Sequence, residues 1–172
     1  METQDPVFAR TSVRAYTDEA VTEEQVERLL RAAMAAPSAM NQEPWEFWVV
    51  EGKVQLEALA SASPYAKPAA HAALAIVPCL KTEGLPCPDM AEQDMGAAIE
   101  NILVEAAELG LGAVWQGIYP MEERVHATAQ VLGIPDDAGL APFAIVAVGH
   151  PAKPISPTGP GRFDPARAHR IG

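Results

Sequence analysis

The chain has 172 residues, of which 49% are apolar and 20% are charged, a composition that indicates one folded domain spanning residues 1–172 rather than a disordered chain. Its formal net charge is −11, from 12 Lys and Arg against 23 Asp and Glu, and this acidity argues against a nucleic-acid partner, since a phosphate backbone requires a basic surface. No apolar run reaches the roughly 20 residues of a membrane span, and residues 1–10 lack the pattern of a signal peptide. We therefore expect a cytoplasmic protein that binds no membrane.

Apolar periodicity and turn residues predict alternating helices and strands along the chain. In chain order, the prediction is a short helix after Asp5, an extended segment at 10–17, a helix at 23–35, a strand at 45–52, a helix at 53–60, a strand at 72–79, a long helix from Pro88, a strand at 112–119, a helix at 121–132 and a buried strand at 140–149. Thr22 and Gln25 have the spacing of a capping box, and Gly110 suits the left-handed residue after the long helix. The proline-rich stretch 150–172 has no periodic pattern, so we do not expect it to pack on its own chain as a regular element.

The long helix combines a broad apolar stripe with small residues at 96–98 and 106–107. This pattern is typical of a central core helix. It also fits a core helix that packs against a second copy of the chain, and the sequence leaves both interpretations open.

The stretch RTSVR, at residues 10–14, places two arginines close together near the start of the chain. Because side chains alternate in an extended segment, Arg10, Ser12 and Arg14 would point to the same side. Two guanidinium forks and a hydroxyl suit a phosphate monoester, which is doubly charged and accepts several hydrogen bonds. The alternative is a pair of unrelated surface arginines that form ion pairs with Asp18 or Glu19.

A second unusual stretch is APSAMNQEPWEF, at residues 36–47, which leaves a helix, turns, and enters a strand. A turn held between two rigid elements is a common place to present hydrogen-bonding groups to a ligand. The amides of Asn41 and Gln42 can both donate and accept, which fits a heterocycle with ring N–H and C=O groups. An ordinary helix-to-strand connection explains the stretch equally well.

A third feature is Gly117, which lies inside an otherwise apolar strand. A glycine there often marks a bulge or the close approach of a ligand to the backbone. The sequence has no GxGxxG, HExxH or GxSxG motif, and Cys79 and Cys87 suggest neither a disulfide framework nor a metal site. If the protein is an enzyme, we expect its reactive group to come from a cofactor.

In this order, the stretches resemble the flavin-dependent nitroreductases. R-x-S-x-R is matched at residues 10–14, A-P-S-x-x-N-x-x-P-W at 36–45, and D-x-G-A-A-x-x-N-x-L running into L-G-L-G-x-x-W at 94–115. The resemblance covers nearly the whole chain. It implies an α+β fold with a mostly antiparallel sheet flanked by helices, in an intertwined homodimer whose C-terminal arm, at about 150–172, reaches the partner subunit.

The resemblance also implies the cofactor and the residues that hold it. FMN would bind at the dimer interface, with its phosphate on Arg10, Ser12 and Arg14 and with Thr11 in the same cofactor-binding stretch. Gln116 and Gly117 would lie beside the flavin N5. The remaining implied contacts come from the other subunit or from the C-terminal arm: Pro37, Ser38, Ala39, Asn41 and Arg162. Some relatives have a lysine where this chain has Pro160, which would weaken the phosphate site.

The implied activity is that of an FMN oxidoreductase. A hydride would pass from NAD(P)H, as co-substrate, by way of the flavin N5 to a small-molecule electron acceptor such as a nitroaromatic or a quinone. No side chain is assigned as a catalytic acid or base, and no metal is expected. Two alternatives remain: another flavin reaction on the same fold, such as reductive dehalogenation or flavin-dependent oxidation, and a flavin carrier or interaction protein without turnover.

Overall fold

The structure, a computed structural model, describes residues 5–157 and 161–172. Its helices are α1 (Pro6–Ala9), α2 (Glu23–Met34), α3 (Lys53–Ser61), α4 (Ala91–Glu108) and α5 (Glu122–Leu132). Its strands are β1 (Trp45–Val50), β2 (Leu74–Lys81), β3 (Gly112–Gly117), β4 (Leu140–Pro142) and β5 (Ala144–Gly149). The predicted order of elements is confirmed up to α5, with bounds that differ by a few residues, and two strands follow where one was predicted.

The predicted helix ends are also confirmed. The Asp5 side chain accepts from the N–H of Val7 and caps α1. Thr22 and Gln25 form a reciprocal capping box at the start of α2, with bonds of 3.2 and 2.9 Å. Gly110, just beyond α4, has φ +70°, a conformation in which a side chain would be strained.

All strand pairs of the sheet are antiparallel, in the order β1-β2-β5-β3, and β4 pairs with β2 beside β5. The single strand predicted at 140–149 is wrong, because it is interrupted at Phe143. Cys79 lies opposite Pro142 and Ile76 lies opposite Val146, so two residues of β2 face three residues of the partner strand. This extra residue is a β-bulge, which a hydrophobic pattern does not reveal.

Helices cover both faces of the sheet. On one face, α2 and α4 pack on a core layer in which Met95, Ile99 and Ile102 of α4 are fully buried. The amide of Asn101 ties these two helices together by donating to the carbonyl of Ala32 at 2.9 Å. On the other face, α3 and α5 pack on a second layer. The role of α4 as a central core helix is therefore confirmed.

The segment before α2 meets the residues that follow β5 at the edge of the sheet. The extended segment 10–17 runs beside β3, where the N–H of Val13 donates to the carbonyl of Ala113 at 3.0 Å. Further on, the N–H of Thr17 donates to the carbonyl of His150 at 2.8 Å, and the N–H of Ala152 donates to the carbonyl of Ala15 at 3.0 Å. The N-terminal segment is thus bound to β3 and to the residues that follow β5.

Glycines at the ends of the two strands permit this close approach. A Cβ added to Gly112 would lie 2.6 Å from Cγ1 of Val13, and one added to Gly149 would lie 3.0 Å from Cδ1 of Tyr16. The Tyr16 hydroxyl lies 2.7 Å from the carbonyl of Val13 and 3.2 Å from that of Ala147, and burial raises the pKa of this phenol above its usual range. It therefore stays neutral at ordinary pH and can donate to these carbonyls.

Beyond residue 160 the described chain makes little contact with the rest of the protein. Apart from a short 3₁₀ turn at Pro165–Arg167, it has no regular element, and all of residues 161–172 are exposed. Phe163 is 80% exposed and Ile171 is fully exposed. Among the described helices, none combines the length and the apolar character that crossing a membrane requires.

We predict that Gly112→Ala destabilises the protein by about 1–3 kcal/mol, as expected when a methyl group is forced into a filled space. Either Val13 moves off β3 or the strand shifts. Urea unfolding gives the free energy directly. The matched control is Gly117→Ala in the same strand, because a Cβ there meets no atom within 4 Å. Equal stability of the two variants would show that Val13 does not require the glycine.

Candidate functional site

The outer edge of β3 presents main-chain groups beyond the point where segment 10–17 pairs with it. Ala113 uses its carbonyl at this edge, to accept from Val13. Because hydrogen-bonding direction alternates along a strand, the N–H and C=O groups of Trp115 and Gly117 point to the same outer edge as those of Ala113. The carbonyl of Gly117 accepts from Nη1 of Arg124 at a long 3.5 Å. The N–H of Gly117 is therefore presented at this edge rather than to β5.

A cavity of about 330 Å³ lies against this edge. It is lined by residues 114–117 of β3 and by three residues from elsewhere in the chain, Arg14, Tyr65 and Arg124. None of these lining residues is Asp or Glu, although the protein has a net charge of −11. The cavity is thus a locally positive site in an acidic protein.

The structure brings Arg14 to this cavity but gives Arg10 a different neighbour. Nε of Arg10 lies 3.1 Å from Oε1 of Glu100 on α4. Arg14 has no carboxylate within 4.0 Å among the described residues, and its Nη1 lies 3.4 Å from the carbonyl of Ser12. The two arginines therefore do not form the ion pairs with Asp18 or Glu19 that the alternative interpretation offered. Ser12 is exposed and Thr11 is half-buried.

Gln116 and Gly117 differ in how they contribute to the cavity. The Gln116 side chain is only 3% exposed, and its Nε2 and Oε1 have no hydrogen-bond partner among the described residues. Because side chains alternate along a strand, Gln116 lies on the opposite face of β3 from Trp115. It lies on the same face as Val114 and Ile118, which pack in the layer of α3 and α5. Gly117, by contrast, leaves open space where a side chain would begin. Of the two residues, only Gly117 leaves open space beside the strand.

The loop at 36–44 lies apart from the residues that line this cavity. The Asp94 carboxylate, in the first turn of α4, accepts from the N–H of Ala39 at 3.0 Å and from Nε2 of Gln42 at 2.7 Å. The same Gln42 amide bonds both main-chain groups of Cys87, at 2.9 and 3.0 Å. Gln42, which the sequence suggested as a ligand contact, instead anchors the loop.

Other residues of the loop are left on its outer side. Met40, Asn41 and Glu43 have φ values of +52°, +53° and +44°, which side chains rarely adopt. Such strain is held only where the surrounding structure fixes it, and it often marks a functional segment. Pro37 and Asn41 are exposed, while Ser38 accepts from the N–H of Glu43 at 3.0 Å.

The last predicted site residue, Arg162, is exposed and is not among the residues that line the cavity. Pro160, which the resemblance connects with a weaker phosphate site, lies outside the described residues. One chain thus assembles Arg14, Gln116 and Gly117, and leaves the 37–41 loop and Arg162 elsewhere.

Three residues of this region escaped the sequence analysis as site residues. Asp94 belongs to the D-x-G-A-A motif, which was the available signal for its role in holding the loop. Arg124 is the first basic residue after Lys81, a spacing that could have drawn attention to it. Tyr65 carries no signal in the sequence, because only the fold brings α3 and the turn after it beside α5.

Comparison with known proteins identifies the family. The model of the nitroreductase family matches residues 7–79 and 70–150. The chain belongs to the nitroreductase family. Among curated proteins, it is 40% identical over 166 residues to one from Archaeoglobus fulgidus that carries the provisional name NADH dehydrogenase/NAD(P)H nitroreductase, and the match covers 95% of this chain and 94% of that protein.

Solved nitroreductase-family structures share the fold. A protein from Clostridium acetobutylicum, provisionally named an NADH oxidase, superposes with a TM-score of 0.90 at 44% identity, over 96% of this chain and 98% of that one. A provisionally named nitroreductase from Desulfovibrio desulfuricans, solved in complex with FMN, has a TM-score of 0.81 at 32% identity, over 97% and 96% of the two chains. The resemblance in the sequence and the expected α+β fold are therefore confirmed.

Proposed function

We propose that the chain is an FMN-dependent oxidoreductase that takes a hydride from NAD(P)H and passes electrons to a small acceptor such as a nitroaromatic or a quinone. The observation that carries this is the open cradle at Gly117, where a free main-chain edge meets the cationic side chain of Arg14 in one cavity. The names of the relatives agree with it, since one was solved with FMN and another is named for NADH and NAD(P)H.

The described residues fit FMN in three respects. Gly117 has no atom within 4 Å of a would-be Cβ, so a flat ring can approach the strand there. Its N–H is turned to the same edge and would donate to that ring. Arg14 has no carboxylate partner among the described residues. Arg10 approaches Glu100 through its Nε, so its two Nη groups are available to a ligand. Together with Thr11 and Ser12, these arginines would hold the phosphate.

When bound, FMN supplies the redox chemistry, by accepting a hydride and giving up two electrons. The protein supplies position and charge. Gly117 would orient the ring through its main chain, Gln116 would lie beside it in β3, and Asp94 would keep the 37–41 loop in its strained form. No side chain of the described site is proposed to donate or remove a proton.

We further propose that the working unit is a homodimer, in which Pro37, Ser38, Ala39 and Asn41 of one subunit complete the cofactor site of the other. This would account for a loop that is fixed and strained yet separate from the cavity of its own chain. The exposed Phe163 and Ile171 support the same view, because an arm that reaches the partner would cover them and would bring Arg162 to the phosphate. A cytoplasmic location stays a prediction.

The first test is reduction of the purified, FMN-loaded protein. Under anaerobic conditions, NADH or NADPH should remove the visible absorbance of the oxidised flavin, and a nitroaromatic or quinone should restore it. Protein without a nicotinamide donor is the control. If FMN binds but neither donor bleaches it, the chain is a flavin carrier or uses another electron donor.

The second test concerns Gly117. Gly117→Val should leave the unfolding free energy of the apoprotein within about 0.5 kcal/mol, because the structure has room for the side chain. FMN affinity should fall at least about tenfold, equivalent to about 1.4 kcal/mol, because the valine occupies the space of the ring. Fluorescence titration with FMN measures the dissociation constant, and Gly117→Ala should give a smaller loss. Full affinity in the valine variant would place the ring elsewhere.

The third test asks which chain supplies each group. Two variants, Arg10→Ala/Arg14→Ala and Ser38→Ala/Asn41→Ala, should each lose FMN binding. After they are unfolded and refolded together, a mixed dimer would have one doubly damaged site and one site with every group intact, so binding should partly return. Each variant refolded alone is the control. Mixed dimers that form but recover no FMN would assign both motifs to a single chain.

A further inference from the structure

The cavity is lined by two arginines, of which only one is proposed to hold FMN. Among the Lys and Arg side chains, Arg10, Arg28, Arg31 and Lys53 lie within 4.0 Å of a carboxylate. The two arginines that line the cavity, Arg14 and Arg124, have no such partner among the described residues, and the same holds for six Lys and Arg side chains outside the cavity. An anion that enters this cavity would be attracted by both charges, and the attraction grows as the separation falls. Arg14 is assigned to the cofactor, but Arg124 is not accounted for.

Arg124 is held in place by contacts that leave most of its donors free. Its Cζ lies 5.1 Å from the centre of the Tyr65 ring, a cation–π geometry. Its Nη1 makes the long contact of 3.5 Å with the carbonyl of Gly117. A guanidinium has five N–H donors, so the fork retains donors that point to no partner in the described chain. These contacts orient Arg124 toward the cavity and leave N–H donors available for a ligand.

Local structure does not explain why a cation stands at this position. Arg124 lies in the first turn of α5, after Glu122 and Glu123. The start of a helix carries partial positive charge, which favours acidic residues and disfavours basic ones. Tyr65 is 68% exposed, so the stacked pair is at the mouth of the cavity rather than in the core. The Arg124 guanidinium would therefore contact a small molecule that enters the cavity beside Gly117.

We propose that Arg124, held over Tyr65, is a specificity-determining residue that binds an anionic oxygen of the redox substrate entering this cavity. The anion is a phosphate or a carboxylate, because a planar fork pairs with either through two parallel bonds. Its source is the diphosphate of NAD(P)H or an acidic group on the electron acceptor. This inference rests on the proposed function of the site, and it assigns Arg124 no part in holding FMN.

The test uses Arg124→Gln and Arg124→Lys, with Arg31→Gln as the matched control, since Arg31 pairs with Glu27 on the exposed side of α2. Calorimetric titration of the oxidised, FMN-loaded protein with para-nitrobenzoate and para-nitrobenzamide compares an anion with a neutral molecule of the same shape and needs no turnover. If the acceptor supplies the anion, Arg124→Gln should weaken nitrobenzoate binding roughly tenfold. Nitrobenzamide binding should change less than about twofold, and Arg124→Lys should recover part of the affinity.

A second experiment tests whether the diphosphate of NAD(P)H supplies the anion. The rate of flavin reduction is measured with NADH and with an uncharged N-benzyl dihydronicotinamide that lacks the diphosphate. If the dinucleotide supplies the anion, Arg124→Gln should raise the KM for NADH roughly tenfold and leave the uncharged donor unaffected. The proposal would be overturned if Arg124→Gln affected charged and uncharged molecules equally in both experiments, or affected neither in either experiment.

The FMN dissociation constant separates this proposal from the function on which it rests. It should be the same for wild type and Arg124→Gln, and a loss of FMN affinity would make Arg124 a cofactor residue and overturn the inference. Failure of every nicotinamide donor to reduce the wild-type flavin would contradict the proposed function instead. In that case the nitrobenzoate titration still decides whether Arg124 binds an anion.

Discussion

The site depends on the contact between segment 12–17 and the edge of the sheet. This contact is possible because Gly112 and Gly149 have no side chains where Val13 and Tyr16 pack. The hydroxyl of the half-buried Tyr16 lies 2.7 Å from the carbonyl of Val13 in the segment and 3.2 Å from that of Ala147 in β5, so its proton can be shared between them and ties the segment to the sheet. As a consequence, Arg14 is placed beside the unpaired part of β3. Without the two glycines, the cationic side chain and the exposed main-chain edge would not face the same space.

The β-bulge at Phe143 determines what lies on the other side of that space. The carbonyl of Phe143 accepts from the N–H groups of both Ile118 and Tyr119, so the ladder between β3 and β5 ends there. The chain then turns through Pro120 into α5, and the first turn of this helix brings Arg124 back to the carbonyl of Gly117. The turn after β3 and the glycine contact therefore bring both arginines to the lining of one cavity.

The charge of the cavity lining differs from that of the protein as a whole. The chain has a formal net charge of −11, whereas the cavity is lined by two arginines and by no carboxylate. Two carboxylates of α4 are paired: Glu100 pairs with Arg10, and Asp94 accepts from the 36–44 loop. An anion that enters the cavity would therefore meet two guanidinium groups and no carboxylate in its lining. The same pairing of Asp94 holds the loop that we propose to serve the partner subunit.

The sequence by itself determined the helices, most of the strands and the family, because caps, apolar periodicity and ordered motifs are local properties of the chain. It also identified Gly117 as unusual and Arg14 as a candidate anion ligand. It did not determine the break at Phe143, since strand register depends on pairing with β2 rather than on composition. Nor did it reveal that Gln42 anchors a loop, or that Tyr65 and Arg124 meet. Those contacts join residues far apart in the chain, and only the packing of α5 beside the turn after α3 decides which side chains share a cavity.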